Sequence, residues 1–267
     1  LAPRTMYVDT KISGFRSKMI FQEKAVKELL EYNQRREGPI YEGDERFVWR
    51  LAQKVESNQL GNHAAGLLPL IDSGFKSMLA RQVNTQLISR SKNHSLMSSN
   101  ALSNLNLAYL LYNNMYNESR INQLEKYRFY TLNNDLLGFY EPENILKLDV
   151  YNLLILSGSG VHGLAPNNRK FYWNPIENYF EPITYDTMIN IDAEPTILLL
   201  PVSNQIMTAF SKLENLLDNI NVSELSNKLK FRNINLNINE TKKKVNKLKI
   251  NLNKLKNVYF NYDQEVI

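Results

Sequence analysis

With 267 residues, 43% of them hydrophobic and 10% aromatic, the chain can bury a sizeable core and is excluded from the disordered class. It has no Cys, which excludes a disulfide framework, a thiolate metal site and a Cys nucleophile, and its three His are too few for a structural zinc site. The net charge of +5 is local, because lysines gather near the C-terminal end at Lys242, Lys243, Lys244, Lys247, Lys249, Lys254 and Lys256.

The chain opens Leu-Ala-Pro-Arg, with neither an initiator Met nor a signal peptide, which predicts a piece of a longer protein. Ser17 is read as the cap of a helix whose apolar positions Phe21, Ala25, Val26, Leu29 and Leu30 share a face, ending near Asn33. The Gly38-Pro39 pair then breaks helix and leads into the acidic stretch Glu42, Asp44 and Glu45. Helical spacing follows through Phe47, Leu51 and Val55, through Phe75, Met78, Leu79, Val83 and Leu87, and through Leu102, Leu105, Ala108 and Leu111. The N-terminal half therefore reads as mostly helical.

Residues 145–156 suit either a buried helix or a strand, and Ser157-Gly158-Ser159-Gly160 ends the run. Aromatic and β-branched residues over 170–173 and 179–185, separated by Asn174-Pro175-Ile176-Glu177-Asn178, predict a short hairpin with Asp186 at the end of its second strand. Ile206, Phe210, Leu213, Leu217 and Ile220 predict a last core helix. Beyond it, Val245, Leu248, Leu252 and Leu255 make one apolar stripe on a basic helical tail, too short to argue a coiled coil. That stripe suits packing on the chain's own domain or on a partner helix, and the lysines read as a solvated face rather than as nucleic-acid contacts. No apolar run approaches the ~20 residues of a membrane span.

Between Gly158 and Asp186 lies the order that phosphate chemistry needs: a polar loop, an amide oxygen and a carboxylate suited to Mg²⁺, brought to one end of two adjacent strands. The run His162-Gly163-Leu164-Ala165-Pro166-Asn167-Asn168-Arg169-Lys170-Phe171-Tyr172, continued by Phe180-Glu181-Pro182-Ile183-Thr184-Tyr185-Asp186, resembles the core of the CotH-like atypical protein kinases, the spore-coat-type family and its bacterial relatives. The stretch from Phe21-Gln22-Glu23-Lys24 to Gly38-Pro39-Ile40 is similar to the same relatives. The resemblance covers roughly residues 15–50 and 145–190.

The resemblance implies an α+β fold with an atypical protein-kinase-like core, a domain over 1–220 shortened at its N-terminus, and an appended helical tail over 221–267. It implies Mg²⁺ and ATP as cofactors and a protein as phosphoryl acceptor. His162 and Asp186 would be the catalytic residues, Asn168 and Asp186 the Mg²⁺ ligands, and Glu23, Asn168 and Arg169 the cofactor-binding set, with Glu23 on a helix orienting a phosphate-binding lysine. By the same resemblance the chain is associated with a cell surface or envelope. Two departures stand out. Gly163 occupies the position where kinase catalytic loops carry an acid, leaving Asp149 and His162 as alternatives, and Lys11 and Lys18 are the only lysines before the Glu23 helix. The alternative expectation is an inactive binding or structural module of an envelope assembly.

Overall fold

The computed structural model describes residues 1–57, 79–121, 132, 134–165, 168–195 and 205–265. The architecture is mixed α+β, with two small antiparallel sheets and predominantly helical surroundings.

The chain starts as a hairpin of β1 (Thr5–Ile12) and β2 (Phe15–Gln22), closed through Ser13 and Gly14, both at positive φ. Two consecutive positive-φ residues match the right-handed twist of a two-residue hairpin turn. This corrects the expected helix from Ser17: helix α1 covers only Lys27–Tyr32. Residues 15–22 alternate at period two, placing Phe15, Met19 and Phe21 on one face of the hairpin with their partners Ile12, Val8 and Met6. The helical period takes over only further on, and α1 buries Leu29 and Leu30 completely.

The second sheet runs β4-β3-β5-β6, from β3 (Ile40–Gly43), β4 (Ala80–Gln82), β5 (Lys170–Asn174) and β6 (Tyr179–Ile183). β4 corrects the helix expected through Leu79, Val83 and Leu87, where strand pairing with β3 is followed by a 3-10 turn at Thr85–Arg90; Phe75 and Met78 lie outside the described residues. The N-terminal half thus adds four strands to helices that remain its predominant element among the described residues. The predicted hairpin at 170–186 is present, but its second strand ends at Ile183, three residues before Asp186.

Each face of this sheet has its own cover. Tyr41, Phe171 and Phe180 share a core with Leu105, Ala108 and Tyr109 of helix α3 (Lys92–Ile121). Their rings meet edge to face, Tyr41 and Phe171 each 5.8 Å from Phe180. The opposite face packs Ile40, Tyr172 and Ile183 against Leu29 and Leu30. Because side chains alternate along a strand, Glu42 and Lys170 continue that second face past the end of α1's cover.

Residues 145–156 are helical, within α4 (Pro142–Ser157). Its Leu153 and Leu156 join a second core with Ile206, Phe210, Leu213 and Leu217 of α5 (Ile206–Asp218) and Leu252, Leu255 and Tyr259 of α7 (Ile238–Glu265). Between those two helices, α6 (Val222–Phe231) starts at Asn221, whose side chain accepts a hydrogen bond from the Glu224 amide at 3.1 Å. The tail stripe therefore packs on the chain's own helices. Buried Asn251 donates from Nδ2 to the Ser157 carbonyl at 2.8 Å, fixing α7 to the end of α4. Lys247 pairs with Glu194 at 3.1 Å, Lys249 with Asp218 at 2.6 Å and Lys256 with Glu214 at 2.8 Å, while Lys244 pairs with Asp192 and Lys254 with Glu194. No helix among the described residues is long and apolar enough to cross a membrane.

Candidate functional site

Strand register builds the centre of the site. Glu42 on β3 lies opposite Arg81 of β4 on one side and Lys170 of β5 on the other, so a carboxylate sits between two cations in one row across three strands. Glu42 forms ion pairs with both. Arg81 also reaches Asp44 at 3.6 Å, and Arg46 holds Asp44 through two hydrogen bonds of 2.7 and 2.6 Å. These bonds keep the Asp44 carboxyl below the usual carboxylate range.

A cleft of about 370 Å³ opens over this row. Its far wall is one face of α2 (Arg46–Glu56), where Arg46, Trp49, Arg50 and Gln53 follow three- and four-residue spacing. The Trp49 indole donates to Glu45 at 2.9 Å. Asn168, Tyr185 and Asp186 line the remaining side, giving four cationic residues in the lining against three carboxylates. The Lys170 ammonium lies 4.0 Å from the Tyr185 ring centroid. Burial first, then the nearby Glu42 and Asp186 charges, pushes the Tyr185 phenol up.

The loop after α4 explains how Asp186 arrives there. A Cβ at Gly163 would meet Thr187 Cγ2 at 2.5 Å and Cα at 2.8 Å, and one at Gly160 would meet Ile189 Cγ1 at 2.9 Å. The segment after β6 thus lies directly on backbone that has no side chains, and the Asn190 amide donates to the Gly158 carbonyl at 2.8 Å. The glycines of this loop serve close packing, and Gly163 leaves no room for an acid. Asp186 adopts φ +45°, a left-handed conformation that Asp tolerates better than most residues.

His162, in the 3-10 turn Val161–Leu164, joins the two expected metal ligands. Its Nδ1 is 3.4 Å from Asn168 Nδ2, and its Nε2 is 3.6 Å from Asp186 Oδ2. Asn168 Nδ2 therefore faces one ring nitrogen and the Asp186 carboxylate the other.

The other expected residues lie elsewhere. Arg169 is 5% exposed and donates from Nη2 to Asn152 Oδ1 on α4 at 3.2 Å. Desolvation lowers its pKa, against the opposing influence of the phenols of Tyr151, Tyr109 and Tyr112. It anchors the loop to the core and is not in the cleft lining. Glu23 is not helical: it follows β2, forms an ion pair with Arg4 and lines a separate groove. Asp149 is buried on α4, Lys11 and Lys18 sit on the exposed first hairpin, and none of them lines the cleft. Asn167 lies outside the described residues.

Glu42, Arg81, Lys170, Trp49 and Tyr185 were given no role in the site from sequence. Glu42, Arg81 and Lys170 meet through the pairing of strands far apart in the chain, which no local spacing displays.

Mg²⁺ suits the donors present, since it accepts one or two protein oxygens and completes its shell with water and phosphate. Asn168 offers an amide oxygen and Asp186 a carboxylate, while no group of three or more His, Cys, Asp or Glu able to hold a metal occurs among the described residues. In comparisons with protein-family models and with curated proteins, the chain matched none.

Proposed function

We propose that the cleft between α2 and the second sheet carries out Mg²⁺- and ATP-dependent phosphoryl transfer to a protein, in the manner of the CotH-like atypical kinases. The observation that supports this reading most directly is the convergence of Asn168 and Asp186 on one cation-walled cleft. Asn168 and Asp186 would hold Mg²⁺, which neutralises phosphate charge as it develops. Arg46, Arg50 and Arg81 offer donors to phosphate oxygens, and His162 and Asn168 position the Asp186 carboxylate. The acceptor oxygen bonds to the γ-phosphorus as the bridging oxygen leaves with ADP, and the acceptor's proton is released to water. A loose transition state asks the protein mainly for positioning and charge, so the missing acid at Gly163 does not by itself forbid transfer.

Calorimetry tests this directly. The chain should bind ATP in the presence of Mg²⁺, and Asp186→Ala should lose the metal-dependent part by about tenfold or more, the loss expected for a charge-assisted contact. Absence of ATP binding by the intact chain overturns the reading.

One observation favours a second reading, a binding or structural module without turnover. Thr187 packs so closely on Gly163 that the loop cannot accommodate the acid usual at this position. On that reading no phosphate reaches a protein acceptor, which a radiolabel transfer assay separates from the first.

A further inference from the structure

A phosphoryl-transfer site needs a cation at the phosphates, and the lysines closest in sequence to the expected position, Lys11 and Lys18, stand on a hairpin that does not line the cleft. Lys170 does line it, next to Asn168 and on the strand leading away from the loop. Its side chain is 12% exposed, the lowest of the ion-paired lysines among the described residues, whose others range from 24% to 69%. A lysine held this way is directed by the protein rather than by solvent.

Two groups surround the Lys170 ammonium. Glu42 holds its ammonium from β3, and the ring of Tyr185, the residue before Asp186, lies 4.0 Å away. Removing one partner from a buried ion pair ordinarily leaves an uncompensated charge at considerable cost. Here Glu42 is shared with Arg81, so its carboxylate stays paired when Lys170 turns toward an anion. The arrangement can release the lysine without stranding the acid.

We propose that Lys170, oriented by Glu42, is the lysine that contacts the nucleotide phosphates; this rests on the phosphoryl-transfer reading of the same cleft. An ammonium acts on phosphate as a compact point charge, and its approach along β5 brings it beside Asn168 and Asp186, the residues proposed to hold the metal.

The first test uses the intact chain and an ATP acyl phosphate. A lysine amine beside the phosphates attacks the acyl carbonyl, an amide forms, and ATP departs. Digestion and mass spectrometry should find the acyl group on Lys170, with modification suppressed by excess ATP. ATP-protected modification at Lys11 or Lys18 instead overturns the assignment and leaves the phosphoryl-transfer reading standing. Absence of ATP-protected modification at any lysine overturns both.

The second test separates phosphate contact from a structural role. Lys170→Met should weaken ATP binding about tenfold or more while leaving adenosine binding unchanged, the size expected for one charge-assisted contact. Equal losses for ATP and adenosine, or none for ATP, overturn the assignment.

Discussion

Gly163 couples the loop's packing to the position of Asp186, because Thr187 occupies the space where its side chain would be. Gly163→Ala forces backbone contacts shorter than van der Waals separation, and overpacking of this kind costs about 1–3 kcal/mol. Urea denaturation should show that loss, and the displaced Asp186 should weaken Mg²⁺-dependent ATP binding in the same variant. Restored binding in Gly163→Asp would contradict the packing seen here. Tyr109 offers the contrasting residue. Its ring is fully buried and its hydroxyl has no hydrogen-bond partner among the described residues. Tyr109→Phe removes a desolvated polar group while keeping the ring, so stability at neutral pH should change by less than about 1 kcal/mol.

At the scale of elements, α7 is held by its apolar stripe rather than by its lysines. Leu252 is completely buried between helices, and Leu252→Ala should cost about 2–4 kcal/mol through lost transfer energy and the cavity left behind. Lys244, whose side chain is 35% exposed, pairs with an Asp192 side chain that is 68% exposed, so Lys244→Ala should cost under about 1 kcal/mol. Chemical denaturation of both variants ranks the two contributions, and the reverse order would mean that charge holds the tail. The stripe was legible because helical periodicity is a property of neighbouring residues, as it was for α2, α3 and α5, whereas the apolar run of α4 fitted helix and strand alike. The β5–β6 hairpin was legible through its aromatic runs and the intervening turn residues. β1 and β2 were not, because Phe21, Ala25, Leu29 and Leu30 fit a helical face while residues 15–22 also alternate, and the Ser13–Gly14 turn decides between them. β4 is three residues long, too short for any period. Asn168 and Asp186, which both line the cleft, and His162 beside Asp186 fall within one short stretch of sequence, whereas Arg81, Glu42 and Lys170 become neighbours only through the register of three strands.

Across the whole molecule, buried tyrosines and arginine-bound carboxylates set the pH range of stability. Glu23 is held below its ordinary value chiefly by the hydrogen bond from Arg4, and Asp44 by those from Arg46. A carboxylate depressed in the folded state contributes its full stabilisation above the unfolded value of about 4 and loses it as pH falls through the folded value. Burial pushes the Tyr41, Tyr109, Tyr151 and Tyr179 phenols up, and moves Tyr172 to about 12. A phenol raised in the folded state contributes fully below the unfolded value of about 10, and its contribution is lost as pH rises from there through the folded value. The denaturation midpoint should therefore be level between about pH 5 and 9, fall below about pH 4, and fall again above about pH 10. The alkaline limb should be the steeper, because six phenols, Tyr185 among them, drive it against four depressed carboxylates, of which Glu194 and Glu224 are exposed. Tyr109→Phe should make that limb shallower without moving the acid limb. A midpoint unchanged between pH 9 and 11 would mean that these phenols ionise as readily folded as unfolded, which their burial forbids.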